Sequence, residues 1–82
     1  MWRGYSYEVT RYTGEPIHDQ VMAIIPASGF KTETAALKSA KIDVKAYNLN
    51  DARIVIEDED GVIVSIHTQG PKGYHVTRGR RF

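Results

Sequence analysis

Three histidines, one run of acids and a basic, aromatic C-terminal stretch are the side chains of this 82-residue sequence that could do chemistry. His18, His67 and His75 include no H-x-x-x-H pair, so no helical face offers two of them to one metal. Asp19 follows His18, and a carboxylate beside an imidazole can orient it, but no third ligand stands at a metal-binding interval. The plainer reading is histidines at strand ends or on the surface, and no metal or cofactor is inferred. The acids Glu57-Asp58-Glu59-Asp60 lead into Gly61. A calcium loop would need alternating Asp/Asn ligands and a bidentate Glu six residues after the glycine, where this chain has His67. Solvated turn acids are expected instead. Paired carboxylates for acid–base work need a pocket, which a hairpin tip does not supply. No nucleophile elbow is present. Gly70-Pro71-Lys72-Gly73 is too short for a phosphate loop and leads into no helix. The sequence therefore reads as non-enzymatic, with no small-molecule substrate inferred.

The C-terminal run is the better candidate. Lys72, Arg78, Arg80 and Arg81 alternate with Tyr74, His75 and Phe82. Guanidinium groups pair with phosphate through two parallel hydrogen bonds, and aromatic rings stack on unpaired bases. Aromatic and arginine side chains are also the usual anchors of protein interfaces, and Tyr12, Arg78 and Arg81 suit that role. Trp2, Arg3 and Arg11 would extend the patch if the first and last strands were neighbours. A solubilising tail is the bland alternative.

Charge placement supports a division of the chain. Residues 51–60 hold five acids and one base, whereas residues 71–82 hold four bases and no acid, within a net charge of only +1. That total is too near neutral to announce a nucleic-acid binder. With no cysteine there is neither a disulfide nor a cysteine metal site. No apolar run reaches a membrane span, and the N-terminus has no apolar signal core, so a cytoplasmic protein is expected.

The elements that must hold these residues follow from periodicity. Gly29 to Tyr47 is the one long stretch of helical period. Thr32 can cap its start, with Thr34 as a second candidate, and Glu33 then meets the positive end of the helix dipole. Ala36, Leu37, Ala40, Val44 and Tyr47 share one face, while Lys38, Lys41 and Lys45 fall on another, read as a solvated outer side. Asn48 and Asn50 end the pattern. Tyr5 to Tyr12 alternates as a strand with Tyr5, Tyr7 and Val9 facing the core. Val21–Ile25 reads as a second strand, central because it is apolar on both faces, and ended by Pro26. Ala52–Glu57 and Val62–Thr68 form a hairpin around Asp60-Gly61. There Val62, Val64 and Ile66 share one face, and Ile63, Ser65 and His67 the other. Tyr74–Arg78 adds a fifth strand or remains a tail. The expected fold is α+β: an antiparallel sheet of four or five strands, in the order β-β-α-β-β, with one helix on one face. Residues 1–70 make the domain and 71–82 a basic C-terminal segment. Apolar residues on both strand faces exceed what one helix covers, which points to self-association or a protein partner.

G-F-K-T-E-T-A-A at 29–36, V-K-A at 44–46 and D-A-R at 51–53 resemble the repeat of the YegP family of small bacterial proteins. The resemblance covers the middle third of the chain and implies a fold of strands around a helix, without implying a chemistry. Only one repeat is present, with a basic segment where a second would stand. The Gly-Phe-x-Thr start of the helix is also similar to the arm-binding domain of phage integrases, and the layout resembles small phage anti-CRISPR proteins. The expectation is a small phage or bacterial accessory protein that docks on a protein partner, as an inhibitor would. The alternative is weak nucleic-acid binding through the C-terminal segment.

Overall fold

The structure, a computed structural model, describes residues 4–11 and 25–79. Five strands and one helix follow in the order β1 (Tyr5–Arg11), β2 (Ile25–Phe30), α1 (Glu33–Ala46), β3 (Ala52–Glu57), β4 (Ile63–Gly70) and β5 (Gly73–Arg78). The strands form one antiparallel sheet in the spatial order β2-β1-β3-β4-β5. The helix lies across β1, β2 and β3. The fold is thus an α+β two-layer arrangement, as the sequence implies.

The core is built where the two periods meet. In β1 the two-residue alternation turns Tyr7 and Val9 inward and leaves Glu8 exposed. Tyr7 stands opposite Ile56, and Val9 opposite Ile54, so two strands supply one apolar layer. From α1, Ala36, Ala40 and Val44 descend on it at four-residue spacing and are fully or almost fully buried. Alanine has no side chain beyond Cβ, so the helix backbone comes close to the sheet. Tyr7 adds a polar tie: its hydroxyl donates to the Asp43 carboxylate and lies 3.1 Å from Ser39 Oγ. Burial, and then the Asp43 bond, hold the Tyr7 phenol above its ordinary pKa.

Both helix ends are closed. Thr32 Oγ1 accepts from the Ala35 amide at 3.0 Å, with Glu33 in the first turn. At the other end Asn48 takes φ +57, while the amides of Asn48 and Leu49 donate to the carbonyls of Lys45 and Val44. This is the Schellman arrangement, and Leu49 packs against the core beyond it. The apolar stripe stops at Val44, since Tyr47 is 46% exposed.

Three expectations need correction. The second strand does not end at Pro26 but continues through it over Ile25–Phe30, and it is an edge strand of the described sheet, not a central one. Pro26 lies inside it opposite Glu8, a placement that edge strands tolerate because proline has no N–H for an inner ladder. Residues 21–24 lie outside the described residues. In the hairpin, a register shift between Ile56 and Glu57 sets Ile56 against Ser65 but Glu57 against Ile63. The extra residue, Val64, therefore joins Ser65 and His67 on the helix side instead of alternating with them. Finally, Asp58 is not a solvated turn acid. It is buried, and its Oδ1 accepts from the amides of Asp60 and Val62 at 2.9 and 3.0 Å, folding the turn in which Gly61 takes φ +81.

Of the two forms open to the C-terminal segment, residues 73–78 take the strand. Just after it the Gly79 amide donates to the Val64 carbonyl at 2.7 Å. A Cβ at Gly79 would lie 1.9 Å from the Ile63 carbonyl oxygen, so no side chain fits there.

Because Ala40 is fully buried between helix and sheet, Ala40→Leu is expected to destabilise by about 1–3 kcal/mol through overpacking. Urea unfolding should show a lowered midpoint with an unchanged slope.

Candidate functional site

Of the sequence-predicted binding residues, Lys72, Tyr74 and Arg78 come together on the β4–β5 hairpin. Tyr12, Arg80 and Arg81 lie outside the described residues, as do Trp2, Arg3, His18, Asp19 and Phe82. Arg11 does not extend the patch. Two strands separate β1 from β5, and Arg11 Nε is paired with Asp51 Oδ2 at 3.2 Å.

Strand β5 has β4 on one side and no strand on the other among the described residues. Its register places Tyr74 opposite Gln69, Val76 opposite His67 and Arg78 opposite Ser65, so these three share the helix side of the sheet. Since α1 packs over β1, β2 and β3, this side of β5 projects beyond the helix. Val76 is 47% exposed there. The hydrogen-bond parity of the strand follows from Gly79, whose amide points at β4. Main-chain groups alternate sides along a strand, so those of His75 and Thr77 also face β4. Those of Tyr74, Val76 and Arg78 face the open edge.

The other edge is different. There β2 carries Pro26, and Gly29 takes φ +93. Both features blunt an edge against strand addition. From Gly73 to Thr77, β5 carries no proline and no acidic or basic side chain other than His75, and its pairing with β4 has no register shift.

Arg78 and Tyr74 are both held from α1. The guanidinium of Arg78 makes two bonds to Glu33, NH1 to Oε2 at 2.9 Å and NH2 to Oε1 at 3.3 Å. Ser65 Oγ donates to the same Oε2 at 2.7 Å, and His67 Nε2 lies 2.9 Å from Ser65 Oγ. Ser65 has one hydrogen and gives it to Glu33, so the histidine bond runs from Nε2–H to Oγ. That leaves His67 Nδ1 as a bare, buried acceptor without a hydrogen-bond partner among the described residues. Further along β5, Lys41 Nζ stands 4.8 Å above the centre of the Tyr74 ring, and burial raises the Tyr74 pKa.

Serine, histidine and carboxylate invite comparison with a nucleophilic triad, and the wiring excludes that chemistry. The carboxylate bonds the serine rather than the histidine Nδ1, and Ser65 is fully buried. The open cleft at this corner is lined by Tyr5, Glu33, Val64, Arg78 and Gly79, and not by the serine or histidine. No group of three or more metal-ligating side chains occurs among the described residues. The trio is a polar knot that fixes Arg78. Glu33 was visible in the sequence only as a helix-dipole residue and Lys41 only as part of a solvated face. Ser65 and His67 share a face in the sequence alternation, but nothing local says that this face is the one toward the helix and Glu33.

No family model, curated protein or solved structure matches this chain. The likeness to the YegP repeat rests on the quoted residues. No helix among the described residues is long and apolar enough to cross a membrane.

Burial lowers the His67 pKa, and the positive charges of Lys41 and Arg78 add to this against the opposing Glu33. Burial acts to raise the pKa of Glu33, but the bonds from Arg78 and Ser65 outweigh it and the net direction is down. A histidine whose folded pKa lies below its unfolded 6.5 binds fewer protons folded than unfolded, so stability falls as pH drops through that interval. Glu33 adds a second loss below its unfolded 4.5. Thermal unfolding from about pH 8 down to about pH 2 (a range that spans both titrations) should show a falling midpoint. His67→Phe should flatten the upper part of that fall and leave the lower part.

Proposed function

We propose that this protein is a small non-enzymatic binding module, an accessory protein of the phage or bacterial type, that docks on a protein partner along β5. The observation that carries this reading is the outer edge of β5, which has no strand beside it among the described residues. Tyr74, Val76 and Arg78 turn their main-chain groups outward, and their side chains share one face of the sheet. An extended partner segment gains main-chain hydrogen bonds at such an edge, while side chains on alternate positions set its specificity. The polar knot supports the reading, because an arginine already oriented by Glu33 loses less freedom on binding. Lys72 sits at the turn, and Tyr74, backed by Lys41, supplies the aromatic anchor.

The test uses Val76→Pro. The Val76 N–H points away from β4, so proline there removes an outward donor without touching the inner ladder. The wild-type chain immobilised in bacterial lysate should retain a protein that Val76→Pro, folded by circular dichroism, does not. Retention of the same proteins by both would overturn docking at this edge. Binding of single-stranded DNA or RNA at physiological salt, unaffected by Val76→Pro, would favour the nucleic-acid alternative instead.

A further inference from the structure

We infer that the segment docked along β5 is acidic: an extended strand with an apolar residue against Val76 and a carboxylate two positions away, beside Tyr74. This rests on the docking reading above and names the chemistry of its partner.

Charge complementarity supports it. From Gln69 to Gly79 the hairpin holds Lys72, His75 and Arg78 and no acid. Arg78 is already neutralised by Glu33. The cations at the Tyr74 end are not. Lys41 stands over the Tyr74 ring, Lys45 follows one turn along the same helix flank, and Lys72 lies in the turn just before β5. All three lysines are exposed, and none has an ion pair among the described residues. A cleft of about 470 Å³ opens between the helix and Tyr74, with Lys41, Lys45, Asn48, Asn50 and Gln69 among its walls and no acid. The nearby carboxylates are engaged elsewhere. Glu33 accepts from Ser65 and Arg78, Asp43 accepts from Tyr7, and Asp51 pairs with Arg11. One end of the edge thus gathers three cations without a counter-ion.

Strand geometry sets where the carboxylate belongs. On an added strand, every second side chain shares the helix side of the sheet. The residue paired with Val76, which is 47% exposed, covers it. The residue two positions along stands beside Tyr74, under Lys41. The helix does not obstruct the approach, since it packs over β1, β2 and β3. A second copy of β5 suits this edge poorly, because it would bring bases and no acid. A phosphate backbone would meet the lysines but offers no N–H groups to the outward carbonyls of β5.

Fluorescence anisotropy with three labelled heptapeptides, TETVTET, TQTVTQT and TKTVTKT, tests this. Each reads the same in both directions, so strand orientation does not decide the outcome. At low salt the glutamate peptide should bind about three- to tenfold more tightly than the glutamine peptide, the effect of two or three exposed ion pairs, and the lysine peptide should bind least. Replacing Lys41, Lys45 and Lys72 together by glutamine, all at exposed positions, should erase that preference in a chain still folded by circular dichroism. Val76→Pro should abolish binding of all three. Equal binding of the glutamate and glutamine peptides overturns the inference and leaves edge docking standing. So does a glutamate preference that survives the triple replacement. A glutamate peptide that binds Val76→Pro as well as wild type overturns both readings, because the contact is then off the edge. Absence of binding at millimolar peptide overturns the inference, while retention of a lysate protein lost with Val76→Pro would still uphold the edge. Oligothymidylate that displaces the glutamate peptide and binds Val76→Pro unchanged would assign the lysines to nucleic acid and overturn the inference.

Discussion

The carboxylate of Glu33 is the polar contact that ties the outer pair of strands to the helix. It lies in the first turn of α1 and accepts from Ser65 in β4 and Arg78 in β5. The helix packs on β1, β2 and β3, so β4 and β5 meet the helix layer through this carboxylate, through Val64 in the core and through Lys41 over Tyr74. Paired charges taken partly out of water hold well only when their remaining hydrogen-bonding capacity is filled. Ser65 supplies the further donor here, and Arg78 supplies two parallel ones. His67 completes the chain from beneath, but its Nδ1 has no hydrogen-bond partner among the described residues. The knot is therefore firm on its glutamate side and weak on its histidine side, which is why acid is expected to act there first.

The same arrangement explains why the exposed strand is not merely a fraying end. Arg78 is fixed by α1, and Gly79 is seated against the Ile63–Val64 backbone. Residues 78 and 79 are thus tied both to the helix and to the neighbouring strand β4.

Much of the scaffold was legible from residue types. Thr32 as cap, Glu33 in the first turn, the alanine stripe and Asn48 at the C-terminal end each follow from local chemistry that tertiary packing had no reason to override. What was not legible was long-range. Pro26 implied the end of a central strand, yet the described strand passes through it, because an edge position tolerates the missing N–H. The bulge at Val64 reversed the face of one residue in the alternation. As a result the candidate site was half seen. Lys72, Tyr74 and Arg78 stood out by charge and ring, whereas the residues that orient them, Glu33, Ser65 and Lys41, come from distant parts of the chain. The charge split marked a division of the chain but not the pairing within it: the partner of Arg78 is the helix glutamate.

A helix that rests on alanines presents a nearly smooth surface, and a smooth surface can be set down in more than one rotation. Tyr7 removes that freedom. Its hydroxyl meets Ser39 and Asp43, side chains one turn apart on the same helix flank. Turning the helix by a single residue would carry both away and strand a buried phenol. The tyrosine thus acts as an index pin, and the orientation of Glu33 toward β5, one and a half turns up the same rod, is set by a residue that never touches it.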